Sequence, residues 1–170
     1  MTRPNFEIAL RKGALGEAVV RRILEANGWV VYQPMTEGAH HFDMLCVKGK
    51  RSAAAFDIKA KARMNKFPCT GVNQTHFEEY QRFSEKHLMP FWIVFVDEAM
   101  RSIYGNTIKE LEKPREEGGV SYPWVMKSKW GKQLRLWPLS AMRPIADISE
   151  EDALSLSALN QRSYTYEASA

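Results

Sequence analysis

Cysteine is scarce in this sequence: Cys46 and Cys69 are the only two among 170 residues. Two cysteines with no CxxC spacing build neither a disulfide framework nor a zinc ribbon, so stapled secreted scaffolds and zinc fingers are excluded. Cys46 sits in an apolar run and reads as a buried thiol, whereas Cys69, between Pro68 and Gly71, reads as a loop residue. Long apolar runs are missing too. The longest, FWIVFV at 91–96, falls far short of the roughly 20 residues that span a bilayer. The first ten residues hold no apolar core of signal-peptide length. The expectation is an intracellular, cytoplasmic protein. Charge of one sign is in small excess only, with 24 Lys and Arg against 20 Asp and Glu, a net charge of +4 and a pI near 9.1. That permits a polyanionic partner without requiring one. There is no internal repeat.

What is present fits one domain with one core: 45% hydrophobic and 26% charged residues in a chain of ordinary domain length. Val20, Ile23 and Leu24 recur at helical spacing and predict a helix over 13–27, stopped at Gly28. Glu17 lies at the edge of that apolar stripe. A short strand at 29–33 closes at Pro34, and a loop over 34–41 leads to a strand at 42–47. Lys48, Gly49 and Lys50 then make a tight connection to a partner strand at 52–61. A loop containing Pro68 and Gly71 follows. Asn73 is placed to cap a helix over 74–87, and the non-alternating run at 90–97 predicts a central strand buried on both faces. Beyond residue 97 the patterns weaken. They suggest a strand at Ile103 and Tyr104, a short helix over 107–113, and a hairpin of 122–126 with 133–139. The expected architecture is α/β, a mixed central sheet flanked by helices. It divides into a single domain over 1–147, with a core at 13–97 and a β-rich extension at 98–147, and a polar tail over 148–170 of disorder-prone composition.

One constellation carries chemistry. Side chains alternate along a strand, so Ala53, Ala55, Asp57, Lys59 and Lys61 share one face of 52–61, and Ala54, Phe56, Ile58 and Ala60 share the other. If the strand holding Asp43 pairs with it across the Lys48–Lys50 turn, Asp43 comes near Asp57. Two adjacent carboxylates repel unless a cation lies between them, and Mg²⁺ is bound by one or two carboxylates. A metal polarises a phosphoryl oxygen and acidifies its water, and an ammonium such as Lys59 steadies the charge that develops. Asp, Asp and Lys are therefore a kit for phosphodiester hydrolysis, to which Glu17 would add a carboxylate.

The same pieces carry a resemblance. Glu17 in KGALGEAVVRRILEANGW, Asp43 in HHFDMLCV, and Asp57 with Lys59 in AFDIKAK stand in the order helix, strand, strand, followed by a helix and a strand. Residues 13–97 thus resemble the PD-(D/E)XK nuclease superfamily, most of all the branch of archaeal Holliday-junction resolvases and related restriction-type endonucleases. The resemblance implies a restriction-endonuclease-like αβββαβ core with a C-terminal β-rich extension. It implies an endonuclease acting on nucleic acid, expected to be DNA and open to branched or junction DNA, with Mg²⁺ or Mn²⁺ as cofactor. Asp43, Asp57 and Glu17 would serve the metal, Lys59 would assist hydrolysis, and two copies would pair because two cuts need two sites. The sequence departs from the pattern in carrying Phe42 rather than Pro before Asp43, and Asp57 where Glu is commoner. Many relatives also hold a Gln and a Tyr close together on the second helix, whereas Gln74 and Tyr80 are six apart. Residues after 97 match no family pattern.

Candidate nucleic-acid contacts are Lys61, Gln74, Arg21, Lys127, Lys129 and Lys132. The last three flank Trp130 at the predicted hairpin tip, where cations and an aromatic suit a groove or a base stack; an ordinary turn, with Trp124 and Trp137 in the core, fits the same pattern. The basic stretch Arg11, Lys12, Arg21 and Arg22 reads equally as phosphate contacts or a solvated helix face. His40 and His41 read as polar loop positions. Two other functions remain open from sequence: a non-catalytic nucleic-acid binder on the same fold, and a protein-interaction or inhibitor factor carried by a mobile element.

Overall fold

The structure is a computed structural model, and it describes residues 3–35, 41–50, 52–64, 68–127 and 131–160. The chain opens with helix α1 (Arg3–Ala26). It starts well before the apolar stripe because its first turns leave Phe6 and Leu10 exposed and so have no burial pattern to betray them. Leu15, Val19, Val20, Ile23 and Leu24 form its packed face. The helix ends where Gly28 adopts φ +80°, a left-handed turn that glycine takes without steric cost.

Three strands follow: β1 (Val30–Tyr32), β2 (Met44–Lys48) and β3 (Ser52–Ala60). β2 and β3 form the expected antiparallel hairpin, with Met44 opposite Phe56 and Lys48 opposite Ser52. The segment expected as a loop around Pro68 and Gly71 is in fact strand β4 (Cys69–Asn73), and Cys69 is fully buried in it. Helix α2 (Gln74–His87) has the predicted bounds, although the Asn73 side chain makes no capping hydrogen bond. Strand β5 (Phe91–Asp97) pairs in parallel with β3, Asp57 lying opposite Ile93 and Lys59 opposite Phe95.

The C-terminal half adds β6 (Ser102–Thr107), α3 (Ile108–Leu111), β7 (Arg115–Glu117), β8 (Val120–Tyr122), β9 (Trp124–Lys127), β10 (Gln133–Pro138) and β11 (Arg143–Asp147). The main sheet is mixed, in the order β1-β2-β3-β5-β6-β11. β9 and β10 make the expected hairpin, yet β10 also pairs with β4 in a second sheet, order β4-β10-β9. β7 and β8 form a small separate ribbon.

The polar tail expected over 148–170 is corrected in its first part, and residues 161–170 lie outside the described residues. Helix α4 (Glu150–Ala158) is capped by the Ser149 hydroxyl, which accepts from Asp152 N, and it buries Ala153 and Leu156. Three acids in its first turn suit the positive end of the helix dipole. α1 and α4 cover one face of the main sheet, over Met44, Cys46, Phe56, Ile58, Val94 and Val96. α2 and the second sheet cover the other, over Ala55, Phe91, Ile93 and Phe95. Among the described residues no helix is long and apolar enough to cross a membrane.

Candidate active site

The alternation along β3 places its residues as the sequence pattern predicts. Phe56 and Ile58 go into the cluster under α1, while Ala55 goes into the cluster under α2. Asp57 and Lys59 therefore face the α2 side. Asp43 N donates to Phe56 O at 2.9 Å, which extends the β2–β3 ladder by one residue and brings Asp43 level with Asp57. Asp43 Oδ2 accepts from Ile58 N at 2.7 Å, so the backbone of β3 orients the first carboxylate. Asp57 Oδ1 accepts from Lys59 Nζ at 2.8 Å. Asp57 Oδ2 is buried with no hydrogen-bond partner among the described residues. Burial is the main cause that lifts the Asp57 pKa above the usual carboxylate range; Lys59 opposes it and Asp43 adds to it.

Glu17 joins from the other face of the sheet. Its neighbour Gly16 packs so tightly on β3 that a Cβ there would lie 2.7 Å from the Ala60 Cβ. That close approach seats α1 at the end of β3 and brings Glu17 within the field of the other two acids. Burial pushes the Glu17 pKa from 4.5 up to about 7, helped by Asp43 and Asp57 and opposed by Lys59. Glu17, Asp43 and Asp57 thus feel one another's charge and that of Lys59, which directly contacts Asp57.

Tyr80 is the site residue that the sequence reading missed. It is buried on α2, stacked on Phe91 with ring centroids 4.6 Å apart. Burial and the neighbouring Asp57 carboxylate hold its phenol protonated, with the pKa pushed up. The phenol leans on that carboxylate without closing a hydrogen bond of normal geometry on Oδ2. The available signal was its place three residues after Phe77 on the buried stripe of α2: a phenol in an apolar stripe needs a polar neighbour.

The remaining predicted contacts divide by location. Lys61 is exposed as a residue, but its ammonium donates to Gly71 O and lies 5.5 Å from the centre of the Phe95 ring. Desolvation of that ammonium, with Lys59 close by, pulls its pKa down to about 8. Gln74 sits at the start of α2, its amide donating to Glu78 and its carbonyl accepting from Arg135. Arg135 also binds Glu112 and covers the Phe77 ring, so this cation is committed inside the fold. Arg21 lies on exposed α1, paired with Glu25 and Gln33. Lys127 and Lys132 lie on β9 and just before β10 and face the start of α2. Lys129, Trp130 and His40 fall outside the described residues, and His41 is exposed. Trp137 is core, as the alternative reading had it.

Among the described residues no three His, Cys, Asp or Glu side chains close on a single point as a ready-made metal cage. The donor set nonetheless suits a hard cation. Asp43 and Asp57 are side by side, both donors are oxygens, and one buried oxygen of Asp57 lacks a hydrogen-bond partner.

Compared as a sequence, the chain matches no protein-family model and no curated protein. Compared as a structure, it is similar to Archaeoglobus fulgidus Hjc, a Holliday junction resolvase from an archaeal hyperthermophile. The TM-score is 0.54 at 14% identity, over 83% of this chain and 99% of that one. The nuclease D212 from a fusselovirus aligns over 89% of this chain and 93% of its own, at 11% identity and a TM-score of 0.48. At such identity the Hjc likeness is one of fold: a mixed sheet flanked by helices, of the restriction-endonuclease-like type.

Proposed function

We propose that this chain, built on the restriction-endonuclease-like fold, is a metal-dependent endonuclease that hydrolyses phosphodiester bonds of DNA. The observation that carries the reading is the buried Asp57, with one oxygen on Lys59 and the other without a hydrogen-bond partner, level with Asp43 across the β2–β3 ladder. An unpaired buried carboxylate oxygen costs stability. A fold keeps such a group where a ligand completes it.

Asp43 and Asp57 are the residues that would hold Mg²⁺ or Mn²⁺, with Glu17 contributing its charge nearby. When bound, the ion would polarise a phosphoryl oxygen and acidify a water. The chain's own residues do the rest. Ile58 N fixes one oxygen of Asp43, so that carboxylate needs no reorganisation when substrate arrives. Lys59, in the same strand face as Asp57, neutralises charge on the phosphate as it builds. Tyr80, stacked on Phe91, places its phenol in the field of the Asp57 carboxylate. A pair of copies would cut both strands of a duplex or both sides of a junction, since two cuts need two sites.

The test is cleavage of labelled four-way-junction, duplex and single-stranded DNA with Mg²⁺ or Mn²⁺ by wild type, Asp57→Ala and Lys59→Ala. We expect cutting by wild type that falls about 100-fold or more in each variant. DNA binding without cutting, equal in all three proteins, would replace the nuclease reading with that of a non-catalytic DNA binder.

A further inference from the structure

Arg63 follows the end of β3 by three residues and is held by a fully buried acid. Its Nε donates to Asp97 Oδ2 at 2.7 Å, and Asp97 also accepts from Met100 N and the Tyr104 hydroxyl. Neutralising Asp97 through Nε engages one donor of a guanidinium that has about five. The guanidinium also lies over the Tyr104 ring, 5.7 Å from its centre. Asp97 therefore fixes where this cation stands, and Arg63 stands at the end of a line that begins at the carboxylates. β3 and β5 run in parallel, so Asp97 lies four residues beyond Ile93, the residue opposite Asp57, or about 13 Å along the strand. Lys61 lies over Phe95 as Arg63 lies over Tyr104, and those two rings stack with centroids 5.8 Å apart. Phe95 and Tyr104 belong to the cluster on the α2 side of the main sheet, the side that Asp57 and Lys59 face.

At Arg63 and Tyr104 the line meets a cleft of about 370 Å³ beside β6 and β11, whose walls include Leu139, Met142, Ile145 and Asp147. The β6–β11 ladder shifts register between Pro144 and Ala146, and Ile145 at that shift stands in the cleft wall. Such an irregularity re-aims a side chain out of the regular pleat. The walls are apolar apart from one cation and one carboxylate. A bare phosphate would meet Arg63 but be repelled by Asp147. A nucleobase suits the whole set: its two faces are apolar, its edge carries acceptors for a guanidinium, and an exocyclic amine gives a carboxylate a donor.

We propose that this cleft takes an unstacked nucleobase of the DNA strand held at Asp43 and Asp57, with the base between the apolar walls and its edge against Arg63 and Asp147. A base taken out of the stack is read by apolar contact on its faces and hydrogen bonds on its edge. Asp97 acts as the positioning residue, through Arg63. Most of the cleft comes from β6, β11 and the turn before β11, beyond residue 97 and outside the span of the sequence resemblance. The inference rests on the nuclease reading for the path of the strand, but its own content is the unstacking of a base, which is measured without cleavage.

The experiment walks 2-aminopurine, a purine that brightens when it leaves the stack, along one strand of a four-way DNA junction and reads its emission in EDTA. Anisotropy of an end label reports binding of the same junction. Wild type is compared with Arg63→Lys, Ile145→Glu and Leu154→Glu. Arg63→Lys keeps a cation for Asp97 but loses the planar fork. Ile145 is exposed, so Ile145→Glu tests the cleft even if Arg63→Lys melts early. Leu154 is exposed on α4, which covers the other face of the sheet, and controls for the added charge. We expect a several-fold rise in emission at one position or two neighbouring ones with wild type and with Leu154→Glu. Arg63→Lys and Ile145→Glu should lose most of that rise and bind the junction about tenfold more weakly, the loss of one base contact. No brightening at any position of a bound junction would overturn the proposal, as would the full wild-type rise in both cleft variants, an equal loss in Leu154→Glu, or no binding at all. Mg²⁺-dependent cutting without brightening would remove this inference alone; cleft-dependent brightening without cutting would remove the nuclease reading alone.

Discussion

Replacing Glu17 by Gln should stabilise the metal-free protein at pH 8 and leave its stability unchanged near pH 4. The pKa of Glu17 rises from 4.5 to about 7 on folding, chiefly through burial and then through the Asp43 charge. Below pH 4.5 the carboxyl is protonated in folded and unfolded chains alike, and the folded state carries no penalty. As pH climbs through 4.5 toward 7 the unfolded chain releases a proton that the folded one retains. Stability present at low pH is lost over that window, and the loss is complete above the folded pKa. At 1.36 kcal/mol per pH unit, the ceiling on the penalty is about 3.4 kcal/mol. Glu17 is only partly buried, so solvent screening reduces it to roughly 1–2 kcal/mol. For a chain of this length that is a gain of about 3–6 °C in Tm for Glu17→Gln at pH 8. Thermal melts at pH 4, 6 and 8 in EDTA measure it. Mg²⁺ or Mn²⁺ added at pH 8 should then raise the Tm of wild type more than that of the variant, because a cation relieves the repulsion that Gln has already removed. A variant no more stable than wild type at pH 8, or more stable by the same margin at every pH, would refute the reasoning about this carboxylate cluster.

Gly16→Ala should lower stability by about 1–3 kcal/mol, since its methyl would press on Ala60. The second change Ala60→Gly should recover part of that loss in thermal melts, which a defect in helix propensity alone would not allow. Gly71→Ala should be harsher, because the new Cβ would collide with the Arg135 carbonyl oxygen; loss of soluble folded protein, read by circular dichroism and gel filtration, is the expected result. Arg63→Ala removes the charged partner of Asp97, whose side chain is fully buried and would keep only Met100 N and the Tyr104 hydroxyl as donors. A loss of about 3 kcal/mol in urea unfolding is expected at pH 7.

Much of the site was legible because a strand writes its two faces into alternate residues. Asp57 and Lys59 separate from Phe56 and Ile58 without any knowledge of the fold, and the Lys48–Lys50 turn brings Asp43 back to them. The register of that pairing was not legible; a backbone hydrogen bond from Asp43 N fixes it. Gly71 reads in sequence as a turn residue, and that hides β4. It is glycine for another reason, the passage of the β10 backbone at Arg135, and a contact between residues so distant in sequence leaves no local pattern. α4 was missed because only Ala153 and Leu156 are buried on it, too few to show a period. Tyr80 escaped because its spacing from Gln74 suggested no partnership, whereas its neighbour in space is Asp57 on a different element.

The pairing of β4 with β10 also bears on how the protein is made. A ribosome releases Glu17, Asp43, Asp57 and Lys59 early, with β4 still lacking the strand it will lie against. Until Gln133–Pro138 emerges, the segment that presents Gly71 to Lys61 and leads into α2 has no strand neighbour among the described residues. The nascent chain therefore carries Asp43, Asp57 and Lys59 well before it carries the strand that lies against β4.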